Sequence, residues 1–424
     1  MITTSLLLAA LAWFAPGDTL PPEAQRVLTD LRYIADDARQ GRGLGTRGLE
    51  EAGAYIADQF QRLGLRPGAA NGTWFQDFTV SPDAPAVAHL GLPATATRNV
   101  VAVLPGTSPA LSGQVVIVGA HYDHLGLGGP NALDPDSTGA VHNGADDNGS
   151  GTVALIEIAR RLAGTRPGRT IVFVAFSGEE LGVLGSSRFV KSPPAACPPE
   201  RMQLLVNLDM VGRPVKGKVF VEGAGSARDL RRSVEALPRR EPPLPLILAF
   251  GGDGYGPSDQ TPFLAKGVPV LHFFTGAHAD YHRVSDTADK IDPPGLAAVA
   301  RLAFRAAFDA AARPDRLEAV RSPAPGPPPG GGERGYGAYL GTIPDFAERA
   351  EPGVLVSAVR PGSPAEKGGL AAGDVVTGVG RVEVRTLSDL GVALKAHRPG
   401  EAVEVRFQRG GEARRIQATL GERQ

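Results

Sequence analysis

Apolar positions recur at helical spacing twice near the start of the chain. Leu28, Leu31 and Ala35 share one face of a helix predicted over Pro22–Gln40. Ala52, Ile56, Phe60 and Leu63 share one face of a second, over Arg47–Leu63. The pattern then changes to short unbroken apolar runs: Asn99–Leu104, Gln114–Gly119, Thr170–Phe176, Met202–Met210 and Val268–Thr275. Such runs are strands buried on both faces. Helical patterns fall between several of them, over Gly151–Leu162 and Leu296–Ala312. The alternation predicts an α/β fold, with a mixed, mostly parallel central sheet sandwiched by helices.

The pattern breaks at Ser322–Gly332, where Pro and Gly exclude helix and strand. Beyond it, Tyr336–Gln424 shows short alternating strands, Gly turns and one helix at Leu387–Ala396, a small β-rich domain. The expected organisation is a leader over 1–20, a large domain over 21–313, a linker over 314–334 and a small domain over 335–424. Leu6–Ala15 is apolar but too short to span a bilayer. It reads as the core of a signal peptide and predicts export, periplasmic or extracellular, although no Lys or Arg precedes it. A buried first helix is the alternative. No later segment reads as a transmembrane helix.

Composition narrows the partners. Lys+Arg (44) and Asp+Glu (45) nearly cancel and no basic stripe stands out, which argues against nucleic acid. The single cysteine, Cys197, excludes an intrachain disulfide and reads as a loop thiol.

Candidate chemistry gathers where the predicted strands end, the usual place for function in open α/β sheets. One strand runs into His121-Tyr122-Asp123; on extended backbone His121 and Asp123 face the same way, so the carboxylate could orient the imidazole, or the two form a surface pair. Asp146-Asp147 lie among glycines ahead of a helix, as ligands or as a capping loop. Glu179-Glu180 follow a buried strand, either decorating a helix start or dividing metal binding from proton transfer. Asp209 falls inside an apolar run and needs a partner there, which a cation could supply. His282 sits in a loop. Carboxylates plus two imidazoles, without cysteine, suit Zn²⁺, with Mn²⁺ or Co²⁺ as substitutes.

Residues 22–313 resemble the co-catalytic zinc aminopeptidases related to aminopeptidase Y and the bacterial leucyl aminopeptidases. The resemblance rests on GAHYDHLG, NGADDNGSG, FSGEELGVLGS, NLDMVG and DYHRVSDT, in that order. It implies a zinc-exopeptidase fold and two zinc ions. His121 and Asp209 would hold one, Glu180 and His282 the other, and Asp147 would bridge them. Glu179 would be general acid/base, Asp123 would support His121, and Tyr281 would hydrogen-bond the developing oxyanion. The substrates implied are peptides with a free N-terminus. The connection Leu125–His142 is long and could form part of the pocket rim.

Tyr336–Gln424 resembles a bacterial PDZ domain, with Tyr339–Thr342 as the loop that would receive a peptide's C-terminal carboxylate. Thr342 departs from the usual apolar residue. Other readings are a carboxypeptidase, with Arg213 or Arg283 binding the substrate carboxylate, a dipeptidase, a glutaminyl cyclase, or a non-catalytic PDZ scaffold. The preferred N-terminal residue, the oligomeric state and any PDZ ligand are not legible in the sequence.

Overall fold

The computed structural model describes residues 20–82, 93–129, 131–195, 197–251, 254, 256–320, 338–344, 352–359, 362–385 and 387–422. The apolar run Leu6–Ala15 and the Pro/Gly stretch Ser322–Gly332 lie outside the described residues. The chain divides into two compact units: the larger takes most of the described residues up to 320, and the smaller takes residues 338–422 together with the short segments 80–82, 93–95 and 277–281.

The larger unit runs α1 (Pro22–Ile34), α2 (Arg47–Arg62), β1 (Arg66–Pro67), β2 (Phe75–Val80), β3 (Thr95–Leu104), β4 (Val115–His121) and α3 (Gly151–Ala163). It continues with β5 (Thr170–Phe176), α4 (Leu184–Lys191), β6 (Met202–Leu208), β7 (Lys218–Glu222), α5 (Leu230–Glu235) and β8 (Ile247–Gly251). The last elements are α6 (Gln260–Ala265), β9 (Val270–Phe274) and α7 (Pro293–Ala312). Its strands form one sheet in the order β1-β3-β5-β4-β6-β9-β7-β8, with β2 paired to β3. The four central strands, β5-β4-β6-β9, are mutually parallel. Flanking β3 and β7 run antiparallel to them, so the sheet is mixed.

Strand geometry explains the unbroken apolar runs. Side chains alternate between the two faces, and here both are covered. Val116, Val118 and Ala120 of β4 pack with α1, α2, α3 and α7, while Val115 and Ile117 pack with Phe189 of α4 and Phe263 of α6. Each such valine, isoleucine or phenylalanine contributes about 1.5–3 kcal/mol of burial. Cys197 lies in a loop, as expected, and is buried on the second face.

Two of the boundaries that differ from the sequence reading bear on the site. The first helix ends at Ile34, and Asp37–Arg42 form a separate turn capped by the Asp36 side chain. Gln40, Gly41 and Arg42 there adopt positive φ. The turn delivers the fully buried Arg42 guanidinium to the carbonyls of Ile34, Tyr122, Asn143 and Gly144, which a continued helix could not do. Likewise β6 ends at Leu208, so Asp209 stands just beyond the strand and not inside it.

The smaller unit contains β10 (Ala338–Tyr339), β11 (Thr342–Pro344), β12 (Val354–Val359), α8 (Pro364–Gly368), β13 (Val375–Val379) and β14 (Val382–Glu383). It ends with α9 (Leu387–Lys395), β15 (Ala402–Arg409), β16 (Glu412–Thr419) and β17 (Gly421–Glu422). Its main sheet is antiparallel, in the order β11-β12-β13-β15-β16, and β10 pairs with β17. Leu340, Val356, Val376, Val405 and Phe407 are among its core residues. No described helix is long and apolar enough to cross a membrane.

Candidate metal centre

His121 is the last residue of β4, Glu179 and Glu180 follow β5, Asp209 follows β6, and the loop carrying His282 follows β9. These four strands are adjacent and parallel, so their carboxyl ends open on one region. Asp147 arrives from the turn before α3. Gly144 makes that turn possible: its φ is +53°, and a Cβ there would stand 2.1 Å from the Asp147 carbonyl and 2.4 Å from the His124 ring. The turn is held from outside by Asp286, whose carboxylate accepts the N–H groups of Asp146 and Asp147 at 2.9 and 3.0 Å.

The side chains converge closely. His121 Nε2 lies 3.4 Å from both Asp147 Oδ1 and Asp209 Oδ1, and 3.9 Å from Glu179 Oε2. His282 Nε2 lies 3.2 Å from Asp147 Oδ2 and 3.1 Å from Glu180 Oε2. Asp147 thus turns one oxygen toward each imidazole. Both rings are oriented through Nδ1: His121 donates to the Asp123 carbonyl at 3.2 Å, His282 to the Asn131 carbonyl at 2.8 Å.

Asp123 acts differently from the sequence reading. Its carboxylate is 3.8 Å from His121 Nδ1 and instead accepts the N–H groups of Glu179 and Glu180 at 3.1 and 3.4 Å. The strand ends at His121, so the extended alternation that would aim the Asp123 carboxylate at the ring stops one residue too early. Tyr281 precedes His282 and donates its N–H to the His278 carbonyl. Arg213 Nη2 lies 2.5 Å from Asp286 Oδ1.

Sequence reading missed four neighbours. His124 is buried and its Nδ1 lies 2.7 Å from Glu180 Oε1. Ser258 donates to Asp209 Oδ2 at 2.7 Å. Asp259 is fully buried with neither carboxylate oxygen hydrogen-bonded. Asn131 belongs to the long connection after β4. His124 had a signal in its place in the same motif as His121 and Asp123, and Asn131 in the long connection Leu125–His142.

The electrostatics require positive charge in this cluster. Burial would lower the His121 pKa, but Glu179, Asp209 and Asp147 overcome it and hold it well above the ordinary value. Burial would raise Asp147, yet the two imidazoles hold it well below the carboxylate range. Glu179 moves the other way: burial first, then Glu180, Asp209 and Asp259, lift it well above its usual value. Burial likewise lifts Asp259 to about 7. His121 Nε2 is buried without a hydrogen bond among carboxylates, so either a proton or a metal cation must sit beside it. Donor atoms of His121, Asp147 and Asp209 all lie within 4.8 Å of one another, as do those of His124, Asp147 and Glu180. Imidazole with carboxylate is a donor set that fits Zn²⁺.

Two segments of the chain match known families. Residues 99–307 match the model of peptidase family M28, and residues 340–420 that of the PDZ domain. Leupeptin-inactivating enzyme 1 of Streptomyces exfoliatus is 28% identical over 65% of this chain and 53% of its own length. The chain spans about half the length of the curated relatives it matches. An aminopeptidase structure from Aneurinibacillus sp. strain AM-1 superposes with TM-score 0.52 at 18% identity, covering 71% of this chain and 96% of that one. Glutaminyl cyclase of Porphyromonas gingivalis superposes with TM-score 0.54 at 23% identity, covering 67% and 96%. At these identities the two structures share the fold. The strand ends that carry the cluster thus fall within a segment that matches peptidase family M28, and a segment that matches the PDZ domain follows it.

Proposed function

We propose that the chain is a two-cation metallo-aminopeptidase that hydrolyses the first peptide bond of substrates with a free N-terminus. The observation that carries this reading is the Asp147 carboxylate, with one oxygen facing His121 and the other facing His282. His121 and Asp209 would hold one cation, Glu180 and His282 the second, with Asp147 shared; Zn²⁺ is the natural occupant and Mn²⁺ or Co²⁺ could substitute. Such cations acidify water and polarise a carbonyl.

The chain's own groups supply the remaining chemistry. Glu179, raised in pKa by burial and neighbouring acids, is suited to take a proton from attacking water and return it to the departing amine. Asp123 holds the backbone of Glu179 and so fixes where that carboxyl points. Tyr281 would hydrogen-bond the developing oxyanion. The excess of carboxylates would also suit a substrate ammonium group. In a glutaminyl cyclase reading one cation suffices, and the His121–Asp209 pair then has no ligand role. Zinc analysis with a panel of aminoacyl anilides and N-blocked controls tests the proposal; equal turnover of blocked and free substrates overturns it.

Export is proposed from Leu6–Ala15, and N-terminal sequencing of the secreted chain checks it. In the PDZ domain, β11 is an edge strand among the described residues, where a peptide could add as a further strand. The Tyr339–Thr342 loop beside it would receive a C-terminal carboxylate. A titration with a free-carboxylate peptide and its amidated form separates specific binding from none.

A further inference from the structure

The long connection between β4 and the Asp147 turn does more than line a rim. Asn131 touches both residues assigned above to the second cation. Its carbonyl accepts His282 Nδ1–H at 2.8 Å, and its Nδ2 donates to the Glu180 carbonyl at 3.0 Å. Two residues on, Leu133 donates its N–H to the His282 carbonyl at 2.9 Å. His282 has φ +55°, a conformation that persists only when its surroundings hold it. Asp134 adds a clamp: Oδ2 accepts the Val284 N–H at 2.9 Å, and Oδ1 faces Nε2 of the buried His142 at 2.9 Å.

The connection is itself seated on the body of the unit. His142 donates its N–H to Gly126, and Gly126 to the Gly41 carbonyl. Gly41 allows this approach, since a Cβ there would lie 2.3 Å from the Gly126 carbonyl and 2.4 Å from that of His142. The other half of the cluster is supported elsewhere. His121 leans on the Asp123 carbonyl and Asp209 on Ser258.

We propose that residues 131–142 are a positioning element for the Glu180–His282 half of the centre, acting through Asn131 and Asp134. None of these residues touches the cation; they set the orientation of those that do. The proposal rests on the two-cation reading and makes the two halves separable. Outer partners of metal ligands typically change affinity by about 10–100-fold.

The test is calorimetric zinc titration of the full chain. Wild type should take up two equivalents, and Asn131→Ala and Asp134→Asn should each weaken one by about tenfold or more. Asp134→Asn keeps the side-chain volume, so it guards against misfolding; unchanged tryptophan-fluorescence melting without zinc shows that each variant folds. In a His121→Ala background the remaining equivalent should weaken on adding Asn131→Ala; in a His282→Ala background it should not. Ser258→Ala should show the reverse pattern. Unchanged affinity in both loop variants, or equal weakening in both backgrounds, overturns the proposal. If wild type binds a single equivalent, the two-cation reading falls. The positioning role is then judged on that equivalent: weakening sustains it, and unchanged affinity overturns it. No zinc uptake overturns both.

Discussion

Replacing Arg42 with methionine is the sharpest structural test of how this centre is held. The guanidinium is fully buried and donates to four carbonyls: Tyr122 at 2.8 Å, Ile34 at 2.9 Å, Asn143 at 2.7 Å and Gly144 at 2.8 Å. Burial lowers its pKa only to about 10, so it is charged at neutral pH. Methionine fills similar volume but takes the guanidinium donors from the Tyr122, Ile34 and Asn143 carbonyls, while the Gly144 carbonyl keeps the Gly149 N–H at 3.0 Å. An orphaned buried acceptor costs about 1–3 kcal/mol. The low end applies, because carbonyls keep a second lone pair and water can enter the vacated space; three such losses amount to about 3 kcal/mol. At about 2 °C per kcal/mol for a large domain, the melting point should fall by about 6 °C. Trp74 packs on the core of the larger unit, and residues 338–422 contain no tryptophan, so fluorescence melting reports the right unit. Three of the four carbonyls flank the His121 and Asp147 segments, so zinc affinity should fall as well. Arg42→Lys should land between, since one ammonium cannot serve four diverging carbonyls. A shift under about 2 °C for Arg42→Met would refute the argument that these bonds hold the turn.

Three further outcomes follow from the same geometry. Glu179→Gln should keep its zinc content and lose about 10²–10⁴-fold in kcat; a fully active variant removes Glu179 from the proton-transfer role. Asp147→Ala should lose bound zinc, because both imidazoles face its oxygens, and unchanged zinc by elemental analysis would refute the bridging assignment. Asp259→Asn should change the pH dependence of stability in the metal-stripped chain. The folded carboxyl is raised to about 7, so its favourable contribution, full below its ordinary value of 3.8, is lost as pH rises through about 7. The variant's melting advantage over wild type should therefore grow from about pH 5 to pH 8, and a constant difference would contradict the assigned burial.

The parts of this molecule legible in the sequence are those whose cause is local. A strand covered on both faces must be apolar throughout, so β5 could be read at its observed limits. The residue at its exit then stands out as polar against an apolar background, which is how Glu179 and Glu180 became visible. The edges were harder. β7 alternates buried and half-buried positions, and no residue of β8 is fully buried, so neither makes an apolar run. The Asp123 carboxylate was misdirected by one assumption, that extended backbone continues past His121.

What could not be read is the layer behind the candidate ligands, and the reason is separation along the chain. Ser258 reaches Asp209 across 49 positions, Arg42 reaches Gly144 across 102, and Asn131 reaches His282 across 151. No periodicity or motif spacing encodes such pairs, because each is made only when the sheet order β5-β4-β6-β9 brings distant loops to one end. Yet these contacts fix the tautomer, the strained backbone and the spacing of the groups that face a cation. Two chains with the same five candidate ligands can therefore differ in metal affinity and in which position empties first. The determinants lie in residues such as Asn131, Asp134 and Ser258, which motif reading passes over and which only the folded arrangement assigns to one half of the centre or the other.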